Sequence, residues 1–221
     1  KNFCEYIFEK IVHQLAPIIH FISFIAVASL QCQYRQTIIK KNKMTTTTFS
    51  VPTREQVSEN NQVIFDNLQK ALGFVPNLYA TIAYSKNGLE RFLAYQNAKT
   101  SLNGKEKEAV NLVVSQVNNC VYCQSAHLVL GKMNGFSDEQ LLDIRNAKST
   151  NPKLNALVQL AADITKTRGY ANPDFVDAFF AEGYTNENLV DLILQISDKT
   201  AMNYLHNLTK VTVDFPLAPT L

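Results

Sequence analysis

Cys120, Cys123 and His127 stand in a C-x-x-C-x-x-x-H pattern, a nucleophile pair followed by a base. On a helix, positions i, i+3 and i+7 share one face, so the three side chains would point into the same space. Cysteines one helical turn apart bring their Cα atoms to roughly 5 Å, inside the range a disulfide tolerates. Such a pair closes and reopens without refolding. The chemistry needs thiolate, and a thiol with a pKa near 8.5 is only about 3% ionised at pH 7. Ionising about three-quarters of it requires a lowering of roughly two pKa units, or about 2.7 kcal/mol. A helix N-terminus supplies only about 0.3–1 kcal/mol of that, favouring thiolate at Cys120 and more weakly at Cys123. His127, four residues after Cys123, is the available group to take or share the proton.

A histidine in that role needs orienting, and a carboxylate is the usual means. Glu108 is the candidate, twelve residues before Cys120 in an increasingly apolar stretch where a charge is expensive unless paired. Its neighbours Glu106 and Lys107 read as solvent-facing. If Asn118-Asn119 turns the chain so that two helices run antiparallel, Glu108 on the first meets His127 on the second, which faces Cys123. The same residues admit a second reading, in which Cys120, Cys123 and His127 ligate zinc with Glu108 or His206 as the fourth ligand. A third reading makes the cysteines structural. The spacing within one helix and the absence of a second C-x-x-C favour redox use.

The elements that would carry these residues read as helices. Ser58 is placed to cap a helix with Val63, Ile64, Leu68, Ala71 and Leu72 at helical spacing and Gly73 as its stop. Further helices are expected near Pro76 and after Asn87-Gly88, the latter with Leu89, Phe92 and Leu93 inward. Two more cover Lys105 to Val117, after Asn103-Gly104, and Cys120 to Met133, which ends at Asn134-Gly135. Ser137 through Gln140 resembles a capping box. Pro152 and Pro173 suit first helical positions, and Thr185 caps a last long helix running towards His206. Strand alternation is confined to Val211 to Phe215. The expected fold class is all-α, with about seven to nine helices. No Gly-rich phosphate loop, serine elbow or basic aromatic platform is present. Tyr122 and Gln124 read as packing residues, and Phe179-Phe180 and Leu189 to Ile196 as core or subunit interface. His206, beside Asn203 and Tyr204, reads as a partly buried histidine satisfied by a backbone carbonyl, with a pocket role as the alternative.

Composition agrees with an ordinary globular chain: 46% hydrophobic, 18% charged, 10% aromatic and no Trp. The net charge of +2 conceals an asymmetry, because residues 1–43 hold six basic side chains against two acidic, leaving fifteen against seventeen in the rest. Charge therefore gives no reason to expect nucleic-acid binding. Residues 1–43 read as a leader outside the fold, with the folded domain at 44–221 beginning at the first methionine, Met44. The apolar run Ile18 to Leu30 makes translated upstream sequence, a secretory signal or a membrane anchor the alternatives. The run is short for a bilayer, which needs about 20 residues. Cys4 and Cys32 have no expected role in the domain, whose expected location is cytoplasmic, with no membrane association.

The run EAVNLVVSQVNNCVYCQSAH, Glu108 through His127, resembles the core motif of the alkyl hydroperoxidase D-like family within the carboxymuconolactone decarboxylase superfamily. The flanks IFDNLQKALGFVPNLYATIAYS and NLVDLILQISDKTAMNYLHNLTKVTVDFP are similar to its peroxidase-related branch, so the resemblance spans residues 50–217. It implies an all-helical fold, homo-oligomers such as trimers or hexamers, and thiol-dependent peroxidase activity without cofactor or metal. It also implies roles: Cys123 as the peroxide-attacking thiolate, Cys120 as its disulfide partner, His127 as the proton-relay base and Glu108 as the group that orients it. The implied partners are a hydroperoxide substrate and an external dithiol reductant. One departure stands out. The family histidine immediately before the second cysteine is Tyr122 here, a poor base near pH 7. The resemblance leaves open a decarboxylase acting on a lactone acid, although that chemistry does not need a paired dithiol.

Overall fold

A computed structural model describes residues 49–221, so the leader assigned to residues 1–43, with Cys4, Cys32 and the run Ile18 to Leu30, lies outside the described residues. Among those described, a 3-10 turn at Arg54–Gln56 precedes nine α-helices: α1 (Glu59–Leu72), α2 (Asn77–Ile82), α3 (Gly88–Gln96), α4 (Gly104–Val117), α5 (Val121–Met133), α6 (Asp138–Arg145), α7 (Pro152–Thr167), α8 (Pro173–Ala181) and α9 (Asn186–Thr209). None is long and apolar enough to cross a membrane.

Local chemistry explains most helix ends. Asn103 and Glu106 close a reciprocal capping box, with backbone-to-side-chain bonds of 3.0 and 2.9 Å. Ser137 with Gln140, and Thr185 with Asn188, repeat the device. Pro152 and Pro173 occupy first turns, where a missing N–H costs nothing. Gly73 ends α1 at φ 82°, a left-handed conformation that glycine adopts without steric penalty.

Helix α4 is the axis of the fold. Charged at its start, it becomes apolar, and every residue from Ala109 to Ser115 is buried. It packs against α5, α6, α7 and α9. Val110, Leu112, Val113 and Val114 meet Leu157, Leu160 and Ala161 of α7 and Leu192 and Ile196 of α9. Fully burying one such side chain stabilises the fold by about 1.5–3 kcal/mol. A charged residue at the start of α4 thus enters a wall already fixed by packing.

On two helices the apolar residues do not all face the core. On α1, Val63 and Leu72 are exposed, while Asn61 and Phe65 turn inward. Asn61 Nδ2 donates to the carbonyls of Ala83 and Ser85, so a polar side chain takes the inward position. On α9, Leu192 and Ile196 enter the core, but Val190, Ile193 and Leu194 are exposed. The alternating segment Val211 to Phe215 forms no strand; residues 210–221 are a tail without regular structure. Its alternation has a packing reason instead, because Val211, Val213 and Phe215 lie against the cluster that contains both cysteines.

Candidate active site

The turn from α4 to α5 sets the sulfurs. Asn119 takes a left-handed φ of 53°, which asparagine tolerates better than most residues. Cys120 then serves as the N-cap of α5 rather than its first helical residue: its Sγ accepts the Cys123 N–H at 3.3 Å, where serine or aspartate would usually offer oxygen. The two sulfurs lie 2.8 Å apart as free thiols. They differ in access. Cys123 lines a cavity of about 540 Å³, while Cys120 has no exposure and is not among the residues facing that space.

Part of the cavity lining is polar. Antiparallel packing brings Glu108 of α4 to His127 of α5, with Nδ1 and Oε2 2.7 Å apart, and both residues line the cavity beside Cys123. Burial pushes the Glu108 carboxyl up, but the His127 ring, the Lys199 ammonium and the Asn111 amide outweigh it and hold the group below the usual carboxylate range. Burial, reinforced by Lys199, holds His127 below the ordinary imidazole value despite Glu108. The pair is therefore a neutral imidazole donating Nδ1–H to a carboxylate. That tautomer leaves the Nε2 lone pair free to accept a proton.

The thiols ionise unequally. The hydrogen bond from Cys123 lowers Cys120 to about 5, against the cost of burial, with help from His206 and the Cys123 N–H. Sharing with Cys120 and burial push Cys123 up, opposed chiefly by Lys199. The pair thus shares one proton across the 2.8 Å sulfur contact, so its first ionisation is favoured and its second opposed.

Helix α9 completes the site with residues that the local motif does not announce. Gln195, Asp198, Lys199, Asn203 and His206 are all buried on one face. Gln195 Nε2 donates to Asn111 Oδ1 at 2.7 Å, and Asn111 Nδ2 reaches Glu108 Oε1 at 3.4 Å. Gln96 and Gln195 amides donate to Asp198, and the Tyr79 hydroxyl bonds Gln96. Lys199 lines the cavity at 3% exposure, and among the described residues no carboxylate lies within 4.0 Å of its ammonium. Asn118 bonds Asn203 at 3.0 Å, and Asn207 Nδ2 donates to the Asn118 carbonyl at 2.7 Å, tying the cysteine turn to α9. The readable signal for these residues is a row of polar side chains at helical spacing within an otherwise apolar helix face.

Tyr122 and Gln124 pack. The Tyr122 hydroxyl accepts the Leu78 N–H at 3.2 Å and meets Asp214; burial and that carboxylate push the phenol well above its ordinary value, so it exchanges no proton near neutrality. Gln124 joins the Ser115 carbonyl to Arg145. His206 is satisfied on one side by the Val211 carbonyl, 3.2 Å from Nε2, and it does not line the cavity. Among the described residues, no group of three or more His, Cys, Asp or Glu side chains is gathered to hold a metal.

Much of the lining is apolar and includes Leu72, Phe74, Met133 and Phe215. The exposed end of α1 therefore has a use: Ala71 and Leu72 face the cavity rather than the core.

Comparison with known proteins concerns the fold and part of the sequence. Residues 85–163 match the carboxymuconolactone decarboxylase family. The uncharacterized protein YdfG of Bacillus subtilis is 25% identical over 108 residues, covering 48% of this chain and 74% of YdfG. An uncharacterized peroxidase-related protein of Ralstonia eutropha JMP134, an alkylhydroperoxidase AhpD core, superposes with a TM-score of 0.69 at 21% identity over 76% of this chain and 92% of that one. A peroxidase-related protein of Silicibacter sp. TM1040 gives 0.67 at 18% identity, covering 80% and 94%. The debrominase Bmp8 in complex with 2,3,4-tribromopyrrole gives 0.64 at 15% identity, covering 77% and 93%. The stretch that matches the carboxymuconolactone decarboxylase family, residues 85–163, holds Glu108, both cysteines and His127, and the fold is the all-helical one of the alkylhydroperoxidase D-like structures.

Proposed function

We propose that the protein is a thiol-dependent peroxidase or disulfide oxidoreductase that reduces organic hydroperoxides through Cys120 and Cys123. One observation carries the reading: of two free thiols 2.8 Å apart, one faces a cavity sized for an organic molecule, beside a neutral imidazole held by a carboxylate. Cys123 gives up its proton towards the His127 Nε2, and its sulfur attacks the distal oxygen of ROOH. The O–O bond breaks, the alkoxide takes the proton and leaves as ROH, and Cys123 becomes the sulfenic acid. Cys120 then attacks that sulfur; the S–O bond breaks, hydroxide leaves as water after protonation, and a disulfide forms. An external dithiol restores the pair. Lys199 supports the charge on Cys123 at attack.

The Bmp8 likeness and the cavity's apolar walls favour a second substrate class for the same dithiol, organobromides. The balanced reaction replaces C–Br by C–H, releases bromide and a proton, and oxidises two thiols to one disulfide. A decarboxylase would leave the dithiol unused.

The test incubates pre-reduced full chain with cumene hydroperoxide, hydrogen peroxide or tribromopyrrole, and counts thiols, remaining peroxide and bromide. Two thiols lost per cumene hydroperoxide consumed is the expected result. Cys123→Ser abolishes consumption, whereas Cys120→Ser turns over once and stops at a trappable sulfenate. Bromide release without peroxide loss moves the assignment to dehalogenation. Intact thiols with every substrate, or stoichiometric zinc blocking thiol titration, overturn the proposal.

A further inference from the structure

Lys199 lines the cavity at 3% exposure, yet among the described residues its ammonium has no hydrogen-bonded acceptor and no carboxylate within 4.0 Å. Two carboxylates share the lining with it, and both are taken by uncharged donors. Asp198, its chain neighbour, accepts the Gln96 amide at 3.2 and 3.3 Å and the Gln195 amide at 3.2 Å. Glu108 accepts the His127 Nδ1–H at 2.7 Å and the Asn111 amide at 3.4 Å. A buried ammonium normally finds an anion, because leaving it alone away from bulk water is expensive. Here the carboxylates turn elsewhere, and the three N–H donors of Lys199 are left to the cavity. The helical repeat says where those donors stand. Gln195, one turn before Lys199 on α9, donates to Asn111 beside Glu108 at 2.7 Å; Asn203, one turn after it, accepts the Asn118 amide at 3.0 Å next to the cysteine turn. Lys199 therefore lies between the Glu108–His127 pair and the dithiol. The other lysine of the lining, Lys107, is partly exposed, so water serves its ammonium. Much of the remaining lining is hydrocarbon and aromatic, from Leu72, Phe74, Leu130, Met133, Met202 and Phe215.

We propose that Lys199 is the carboxylate-binding residue of this cavity, and that the substrates are hydroperoxides carrying a carboxylate on an apolar body. The hydroperoxide half rests on the dithiol reading above; the carboxylate half rests on an unpartnered ammonium in a largely apolar cavity. The ligand's carboxylate accepts N–H donors of Lys199 and forms the ion pair that neither Glu108 nor Asp198 makes, while its hydrocarbon covers the apolar lining. Charge-assisted hydrogen bonds of this kind are roughly twice as strong as neutral ones. An ester or amide in the same place offers a neutral carbonyl and leaves the ammonium uncompensated. Selection therefore falls on charge rather than on shape. The same ammonium supports the charge on Cys123, but that effect is common to every substrate, whereas the carboxylate contact is confined to acids.

The test uses the pre-reduced full chain and begins with binding, so that it does not depend on turnover. Calorimetry at pH 7 compares 4-isopropylbenzoate with uncharged 4-isopropylbenzamide, which has nearly the same shape. The parent is expected to bind the acid about 10–10²-fold more tightly than the amide; Lys199→Met should erase that preference while holding the amide within about twofold, and Lys199→Arg should keep most of it. Equal affinities for acid and amide in the parent, or a preference that survives in Lys199→Met, overturn the proposal. A second measurement does not depend on the methionine variant's folding: the Lys199 Nζ resonance of the parent should shift with the acid and not with the amide, and a resonance indifferent to the acid overturns the contact. Turnover then reads the substrate class. Cumene hydroperoxide bearing a para carboxylate should show a KM about tenfold below that of its methyl ester at similar kcat, and Lys199→Met should close the gap although it slows both. Acid binding through Lys199 without any peroxide consumption refutes the peroxidase reading and leaves the carboxylate site standing, whereas peroxide consumption with no preference for the acid refutes the carboxylate site alone.

Discussion

Two thiols of identical chemistry become unlike because one caps a helix and the other faces a cavity. The pair shares its first negative charge across the sulfur contact, and the depressed Cys120 pKa of about 5, supported by the Cys123 thiol and N–H, has a consequence for stability. An unfolded thiol near pKa 8.5 still binds its proton where the folded one has lost it, so stability rises with pH between about 5 and 8.5 and is lost as pH falls through 5. Above that window the raised Cys123 works in the opposite direction. Urea denaturation of the reduced protein should show this rise, and Cys120→Ser should remove it; parallel profiles would be inconsistent with a thiolate on Cys120. Lys199 is the cation that most opposes the raised Cys123 value. In a Cys120→Ser background, Lys199→Met should slow Cys123 alkylation at pH 7 by about tenfold, one pKa unit, with Lys199→Arg restoring most of it. Because burying an ammonium costs energy, thermal stability should hold or increase in the methionine variant. A slower reaction accompanied by a collapsed melting temperature would mean a structural role instead.

Helices α4 and α5 form the frame on which these side chains meet, and the turn between them sets their register. Asn119 carries the left-handed residue of that turn, and Asn203 and Asn207 hold its neighbour Asn118 from α9. A β-branched side chain at position 119 crowds the backbone, so Asn119→Val should cost about 1–2 kcal/mol in denaturant unfolding, whereas Asn119→Gly should be nearly neutral. Equal losses would place the requirement in the asparagine side chain rather than in its φ. The helix starts were legible because caps act within three residues: Asn103 with Glu106, Ser137 with Gln140 and Thr185 with Asn188 all lie where short-range rules put them. The inward face of α1 was not, since Asn61 displaces the apolar series by bonding carbonyls of another segment.

Taken together, the elements close around the dithiol only once the tail is laid down. Asp214 accepts the Asn77 N–H at 2.6 Å, Ala218 N donates to Ser125 Oγ at 2.9 Å, and Arg145 reaches the Pro219 carbonyl at 2.8 Å. Phe215 meets Phe74 and Tyr122 edge-on and forms part of the cavity wall. Each buried hydrogen bond contributes about 1 kcal/mol, so ending the chain after Lys210 should destabilise it by roughly 3–5 kcal/mol and speed alkylation of both thiols. An unchanged melting curve together with unchanged alkylation would show that the tail is dispensable. Its alternating residues suggested a strand, but without an adjacent strand the same pattern serves one-sided packing.

Spacing put Cys120, Cys123 and His127 in one neighbourhood, because the helical repeat gathers them, and the family resemblance added Glu108, which spacing by itself left as an ordinary solvated helix charge. It could not place Lys199 or His206 there, nor decide which sulfur sees the cavity. Those depend on a helix begun more than sixty residues after the cysteines crossing their turn at one particular rotation, and that rotation is chosen by the burial of Leu192, Ile196 and Met202 across the whole core. Local backbone chemistry acts over a few residues, whereas side chains from distant segments meet only where the packing of the full chain brings them together.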